Sequence, residues 1–193
     1  VGWGFQQTIT YAPDVTTDDV VHAAALTVSV TQRVLDTAQG DTPADLLKKA
    51  QNRLQRNSIR IADADLKCMA DNIFHEARGE KPLDQIRVAN VVMNRVAADR
   101  WPNSICGVVY EPWQFSWTMD ERISRSLDAK VTDNRIDRES YALALEIAGL
   151  TIAGHLSDFT VGSTHYHAKS VFPVWALAYE QTVVTDGVHV FYR

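Results

Sequence analysis

The chain has 193 residues and a formal net charge of −5. That length suffices for one well-packed core, or for one core with a helical appendage. The acidic balance argues against a general nucleic-acid or polyanion binder, and no stretch approaches the roughly 20 apolar residues of a membrane span.

Residues 1–16 carry Gly2, Gly4 and Pro13 among scattered aromatics and read as an irregular arm. Residues 18–39 read as a helix ending at Gly40, although β-branched residues at 27–31 weaken it. The run 20–30 is the most apolar, but it is too short to span. Asp18 and Asp19 precede it where a signal peptide would carry Lys or Arg. A start at Val1 is compatible with a leader removed by processing. Thr42-Pro43-Ala44-Asp45 is a helix start: a capping hydroxyl, Pro in the first turn and an acid at the positive end of the dipole. That helix runs to Arg56, with Leu46, Leu47, Ala50 and Leu54 on its apolar face and Lys48, Lys49, Arg53 and Arg56 on a basic, solvated side. Asn57-Ser58 breaks it and marks the internal boundary. Residues 1–60 form an N-terminal region and 61–193 the main domain.

Asp63 is expected to cap the next helix, whose stripe is Leu66, Met69, Ala70, Ile73, Phe74 and Ala77. Glu76 falls about 80° from the centre of that stripe, at the edge of the core. Gly79 is expected to end the helix in a left-handed cap, and Pro82 to start the next one. Residues 82–98 place Ile86, Ala89, Val92, Met93 and Val96 on a core face, and Val88 and Val91 imply burial nearly all round. Trp101-Pro102-Asn103 is a turn. Residues 105–117 read as short strands or extended loop, with Pro112 keeping them off a central strand. Residues 118–136 read as a polar loop with a short helix, and 138–153 as a helix on Tyr141, Leu145, Ala148 and Ile152. Val161 to His167 and Thr182 to Tyr192 alternate as strands, with a hairpin signal at Asp186-Gly187. The fold class is α+β, mostly helical with a small antiparallel sheet. Cys68 and Cys106 can form one disulfide or stay as buried thiols, and buried thiols are the default.

Chemistry concentrates at two places. A carboxylate in the last helical turn, half desolvated, has its pKa raised by both effects, which suits a general acid. The bland reading pairs Glu76 with Arg78 or Lys81. Trp113-Gln114-Phe115-Ser116-Trp117 offers flat faces for sugar rings and hydrogen bonds for hydroxyl and acetamido groups, although at least one of its aromatics is expected in the core. The second place is Ser163-Thr164-His165-Tyr166-His167. His165 and His167 share a strand face and can line a cleft or ligate zinc, but nothing fixes a third ligand. Gly79 stands where the zinc helix H-E-x-x-H needs its second histidine, so that motif is absent, and no phosphate-binding glycine loop or serine elbow occurs.

The run from Asn72 to Glu80, then Gln85 to Arg95, resembles the core of the SleB-type cell-wall hydrolases, spore-cortex-lytic enzymes and their bacterial and phage relatives. The resemblance continues through Trp101 to Tyr110, Gln114-Phe115-Ser116, Thr164-His165-Tyr166, Pro173-Val174-Trp175 and His189 to Arg193, over about residues 63–193. It implies a lysozyme-like or resuscitation-factor-like fold. It implies cleavage of peptidoglycan between N-acetylmuramic acid and N-acetylglucosamine, with the first Glu of Glu-Ala-Arg-Gly-Glu, Glu76, as the catalytic acid. Many members are lytic transglycosylases, which need no second carboxylate and leave a 1,6-anhydro ring. Gln114, Phe115, Ser116, Thr164, His165 and Tyr166 are the expected substrate-positioning residues.

The expected activity is therefore a lytic transglycosylase acting at the cell wall, without metal or cofactor. One rival is a hydrolytic muramidase, for which Glu80, Glu111 or Asp120 would have to supply a second carboxylate. Another is a non-catalytic wall-docking or virion assembly module, and a zinc amidase is a distant third. Residues 1–60 are compatible with docking onto the catalytic domain or onto a phage assembly.

Overall fold

The computed structural model describes residues 41–185 and 187–193. The expected arm, the helix over 18–39 and the Gly40 cap lie outside the described residues.

Helix α1, Pro43–Arg56, begins as its sequence requires. Thr42 Oγ1 accepts from the Asp45 amide at 3.2 Å, and the Asp45 carboxylate accepts from the Thr42 amide at 3.0 Å, a reciprocal capping box. Its apolar face, Leu46, Ala50 and Leu54, enters the common core. Ser58, in a left-handed conformation with φ 62°, turns the chain into α2, Asp63–Ala77. Ala62, not Asp63, is the N-cap of α2, and it makes no side-chain cap bond; Asp63 sits in the first turn, where its charge still suits the dipole. Leu66, Met69, Ile73 and Phe74 are fully buried, which makes α2 the central helix.

Gly79 does not supply a left-handed cap. Arg78 closes α2 in a right-handed conformation, and the Glu80 amide donates to the Ala77 carbonyl at 2.9 Å, so right-handed residues make the turn. Pro82 does start α3, Pro82–Ala97, with Ile86, Val88, Ala89, Val91 and Val92 all buried. Residues 105–117 are not strands. Ser104 accepts from the Gly107 amide at 3.2 Å and caps a short helix α4, Ile105–Val109, and α5 covers Ser116–Met119. Their β-branched residues suit strands locally, but burial of Ile105, Val108 and Val109 against the helices decides the outcome. Residues 118–136 hold a full helix α6, Glu121–Asp133, capped by Asp120 and turned by Asn134 into α7, Arg135–Ile152.

Helix α7 packs along α2 and α1. Tyr141 donates to buried Asp71 at 2.7 Å, and Lys67 pairs with the same carboxylate. Arg53 pairs with Glu146, and Leu54 covers Gly149, where an added Cβ would lie 2.9 Å from Leu54 Cδ2. Cys68 and Cys106 form a disulfide rather than remaining thiols. It ties α2 to α4, and the Cα atoms lie 5.3 Å apart, within the span a disulfide bridges. Three strands complete the fold: β1 His165–Ala168, β2 Gln181–Val184 and β3 His189–Tyr192, antiparallel in the order β1-β3-β2. Residues 161–164 are not strand but a turn with Val161 and Gly162 both left-handed. The hairpin joining β2 to β3 is present as the alternation suggested, with Asp186 itself outside the described residues. Among the described residues no helix is long and apolar enough to cross a membrane.

Candidate active site

Three elements meet around Glu76. The last turn of α2 carries Glu76, the C-terminal part of α3 carries Arg95, and β1 carries Tyr166. The chain reaches β1 through a tightly bonded turn. Asn94 on α3 donates to Asp158, Thr160 Oγ1 and the Ser163 carbonyl, at 3.0 to 3.1 Å. Asp158 accepts from the amides of Thr160 and Gly162 at 2.8 and 2.7 Å. Arg95 Nε donates to the Thr164 carbonyl at 2.7 Å. The start of β1 is thus fixed to α3, and strand alternation aims Tyr166 at α2. Its hydroxyl donates to Glu76 Oε2 at 3.0 Å.

Burial raises the Glu76 pKa above its ordinary value of 4.5, against the Tyr166 hydrogen bond and the Arg95 charge, which both favour the carboxylate. Burial holds the Tyr166 phenol well above its ordinary value, with the Glu76 charge adding to it. Arg78, one partner of the bland reading, pairs with Asp137 at 3.2 Å. The Arg95 guanidinium is buried over the rings of Trp101 and Phe115, at 4.3 and 5.3 Å, and its Nη1 has no protein hydrogen-bond partner.

These residues open onto a cleft of about 320 Å³. Glu76 and Arg95 line it together with Trp113, Gln114, Phe115, Ser116 and Met119 from the segment before and within α5, and with Tyr166, His167, Ala168 and His189 from the sheet. Of the residues singled out in the sequence, Glu76, Gln114, Phe115, Ser116 and Tyr166 come together here. Thr164 and His165 do not line the cleft. Thr164 holds Arg95 through its backbone carbonyl. His165 faces away, its ring 4.2 Å from that of Tyr179 and 5.5 Å from that of Trp175. Burial, with the charges of Arg95 and Arg100, lowers its pKa to about 4.

Trp117 and Phe115 are core residues, and Trp113 is 81% exposed. His75 is stacked on Trp117 at 4.4 Å, and burial lowers its pKa to about 4. Among the described residues no group of three or more His, Cys, Asp or Glu side chains is arranged to hold a metal ion. Glu76 is the only carboxylate among the described residues that line the cleft. Asp120 instead caps α6 and pairs with Arg122 at 2.9 Å. Glu80 and Glu111 do not line the cleft either.

A helical body bearing a small antiparallel sheet, with the half-buried Glu76 between them, is the lysozyme-like α+β arrangement, and the comparisons agree. A profile of the cell wall hydrolase family matches residues 79–192, and the chain belongs to this SleB-type family. The chain is 36% identical to the spore cortex-lytic enzyme of Bacillus cereus over 76 residues, 39% of this chain and 29% of the relative. It is 34% identical to that of Bacillus subtilis over 86 residues, 44% of this chain and 28% of the relative. The chain thus spans less than a third of the length of the curated relatives it matches. The solved catalytic domain of the germination-specific lytic transglycosylase SleB from Bacillus anthracis superposes with a TM-score of 0.52 at 26% identity, covering 69% of this chain and 97% of that domain. The Bacillus cereus SleB catalytic domain gives 0.51 and 26%, over 69% and 93%.

Proposed function

We propose that the protein cleaves peptidoglycan glycan strands between N-acetylmuramic acid and N-acetylglucosamine as a lytic transglycosylase, with Glu76 as the acid and then the base. The observation that carries this reading is that Glu76, with its raised pKa, is the only described carboxylate lining the cleft. Oε2 accepts from Tyr166, so the carboxyl proton is carried on Oε1. Glu76 gives that proton to the glycosidic oxygen as the bond to the muramic anomeric carbon breaks. Its carboxylate, favoured at that moment by Tyr166 and the Arg95 charge, then takes the proton of the muramic 6-hydroxyl. The hydroxyl oxygen closes onto the anomeric carbon as a 1,6-anhydro ring. The nucleophile belongs to the substrate, so no second carboxylate is needed, whereas a hydrolase uses a pair.

The similarity to the Bacillus anthracis SleB domain, a germination-specific lytic transglycosylase, supports the same reaction class. The Cys68–Cys106 disulfide supports action on the wall side of the membrane, where thiols are oxidised. Gln114, Ser116 and Phe115, which line the cleft with Tyr166, position the strand. The test is release of soluble muropeptides from purified sacculi by the wild type and by Glu76→Gln. The variant is expected to lose about a hundredfold or more in rate, the range for removing a general acid. Equal release by both proteins would overturn the assignment of Glu76.

A further inference from the structure

Trp113 stands in an unfavourable place twice over. The Gln114 amide donates to the Glu111 carbonyl at 3.3 Å, closing a turn with Pro112 and Trp113 at its centre. Trp113 has φ 70°, in the left-handed region. A Pro followed by a residue of positive φ is a type II turn, whose third position is ordinarily glycine because a side chain there is strained. The indole is also 81% exposed, so the core does not offset that strain. A bulky residue held in such a conformation beside a cleft points to function at that position. Trp113 lines the cleft that holds Glu76, as does Met119, itself 50% exposed.

We propose that Trp113 is a sugar platform whose indole face stacks on a pyranose ring of the glycan strand beside the bond that Glu76 cleaves. Amino sugars linked through equatorial bonds present flat faces of C–H groups, and an exposed indole offers a rigid apolar plane to meet them. Recognition of this kind reads the glycan and not the stem peptide. The turn fixes the direction in which the Trp113 side chain leaves the backbone. This proposal rests on the reading of the cleft as a glycan site.

The test uses the inactive Glu76→Gln protein, with and without Trp113→Gly or Trp113→Tyr, and glycan strands freed of stem peptides by an amidase. Trp113→Gly is expected to raise the half-saturation for binding about tenfold, as the loss of one stacking contact implies. Trp113→Tyr, which keeps a flat ring, is expected to stay within about threefold of its parent. In the same proteins Trp113→Gly should not lower the melting temperature, since glycine relieves the strained turn. Unchanged binding by Trp113→Gly, or a loss that follows a lowered melting temperature and is not rescued by Trp113→Tyr, would overturn the proposal alone. Failure of the Glu76→Gln parent to bind the peptide-free glycan strands would overturn the glycan reading of the cleft and the platform with it.

Discussion

Tyr166 and Glu76 lie 90 positions apart in the chain, yet the Tyr166 hydroxyl donates to Glu76 Oε2 at 3.0 Å. The bond is possible because Asn94 and Arg95 on α3 anchor the residues that lead into β1. It joins the strand wall of the cleft to the acid.

That bond favours the carboxylate, so its removal should raise the Glu76 pKa further. Tyr166→Phe is expected to move the alkaline limb of the pH–rate profile to higher pH, because the acid keeps its proton longer. The optimum rate should fall about tenfold, the worth of one charge-assisted hydrogen bond. Rates on purified sacculi across the pH range decide this. A slower enzyme with an unshifted limb would make Tyr166 a packing residue only.

The raised pKa of Glu76 also fixes a sign for stability. The folded state holds the proton more tightly than the unfolded chain. The associated stability is therefore full below the ordinary value of 4.5 and is lost as pH rises through the raised value. Glutamine suffers no such loss. Calorimetry should find Glu76→Gln melting above the wild type at neutral pH, with the gap closing below pH 4.5. A gap independent of pH would mean that burial does not strain the acid.

The Cys68–Cys106 disulfide closes a loop with a sequence separation of 38. In the chain-entropy account that is worth about 3–4 kcal/mol. Chemical unfolding with and without reductant should show a loss of this size. A Cys68→Ser, Cys106→Ser protein should lose the same amount and no longer respond to reductant.

Gly149 admits Leu54 so closely that a methyl group would lie 2.9 Å from Leu54 Cδ2. Gly149→Ala should destabilise by about 1–3 kcal/mol through overpacking. The cost should shrink when Leu54→Ala is also present. Additive losses in the double variant would show that α1 does not dock through this contact.

Much of this was legible because the informative signals are local. The Thr42 cap, the Pro82 start, the stripe of α2 and the place of Glu76 at its edge all follow from spacing within one helix. Helix α6 carried a readable signal too: Ile123, Leu127 and Val131 recur at intervals of four, and the last two are buried, but the surrounding charges read as loop. Arg95 is in helical register with Val88 and Val91, both fully buried, so its burial was implied without its role being seen. What sequence could not supply is which face of β1 meets α2. Alternation puts Tyr166 opposite His165 whichever way the strand turns. The choice is made by the Asn94 and Arg95 anchors across more than 60 residues. The disulfide is non-local in the same way, since two cysteines on separate helices reveal their distance only after α2 and α4 pack.

The most direct measurement is digestion of purified sacculi by the wild type in water labelled with heavy oxygen, with the new muramic ends weighed by mass spectrometry. If the muramic 6-hydroxyl is the nucleophile, the ends are 1,6-anhydro rings, lighter by one water and free of label. Reducing muramic ends that carry the heavy oxygen would contradict it, because water would then be the nucleophile.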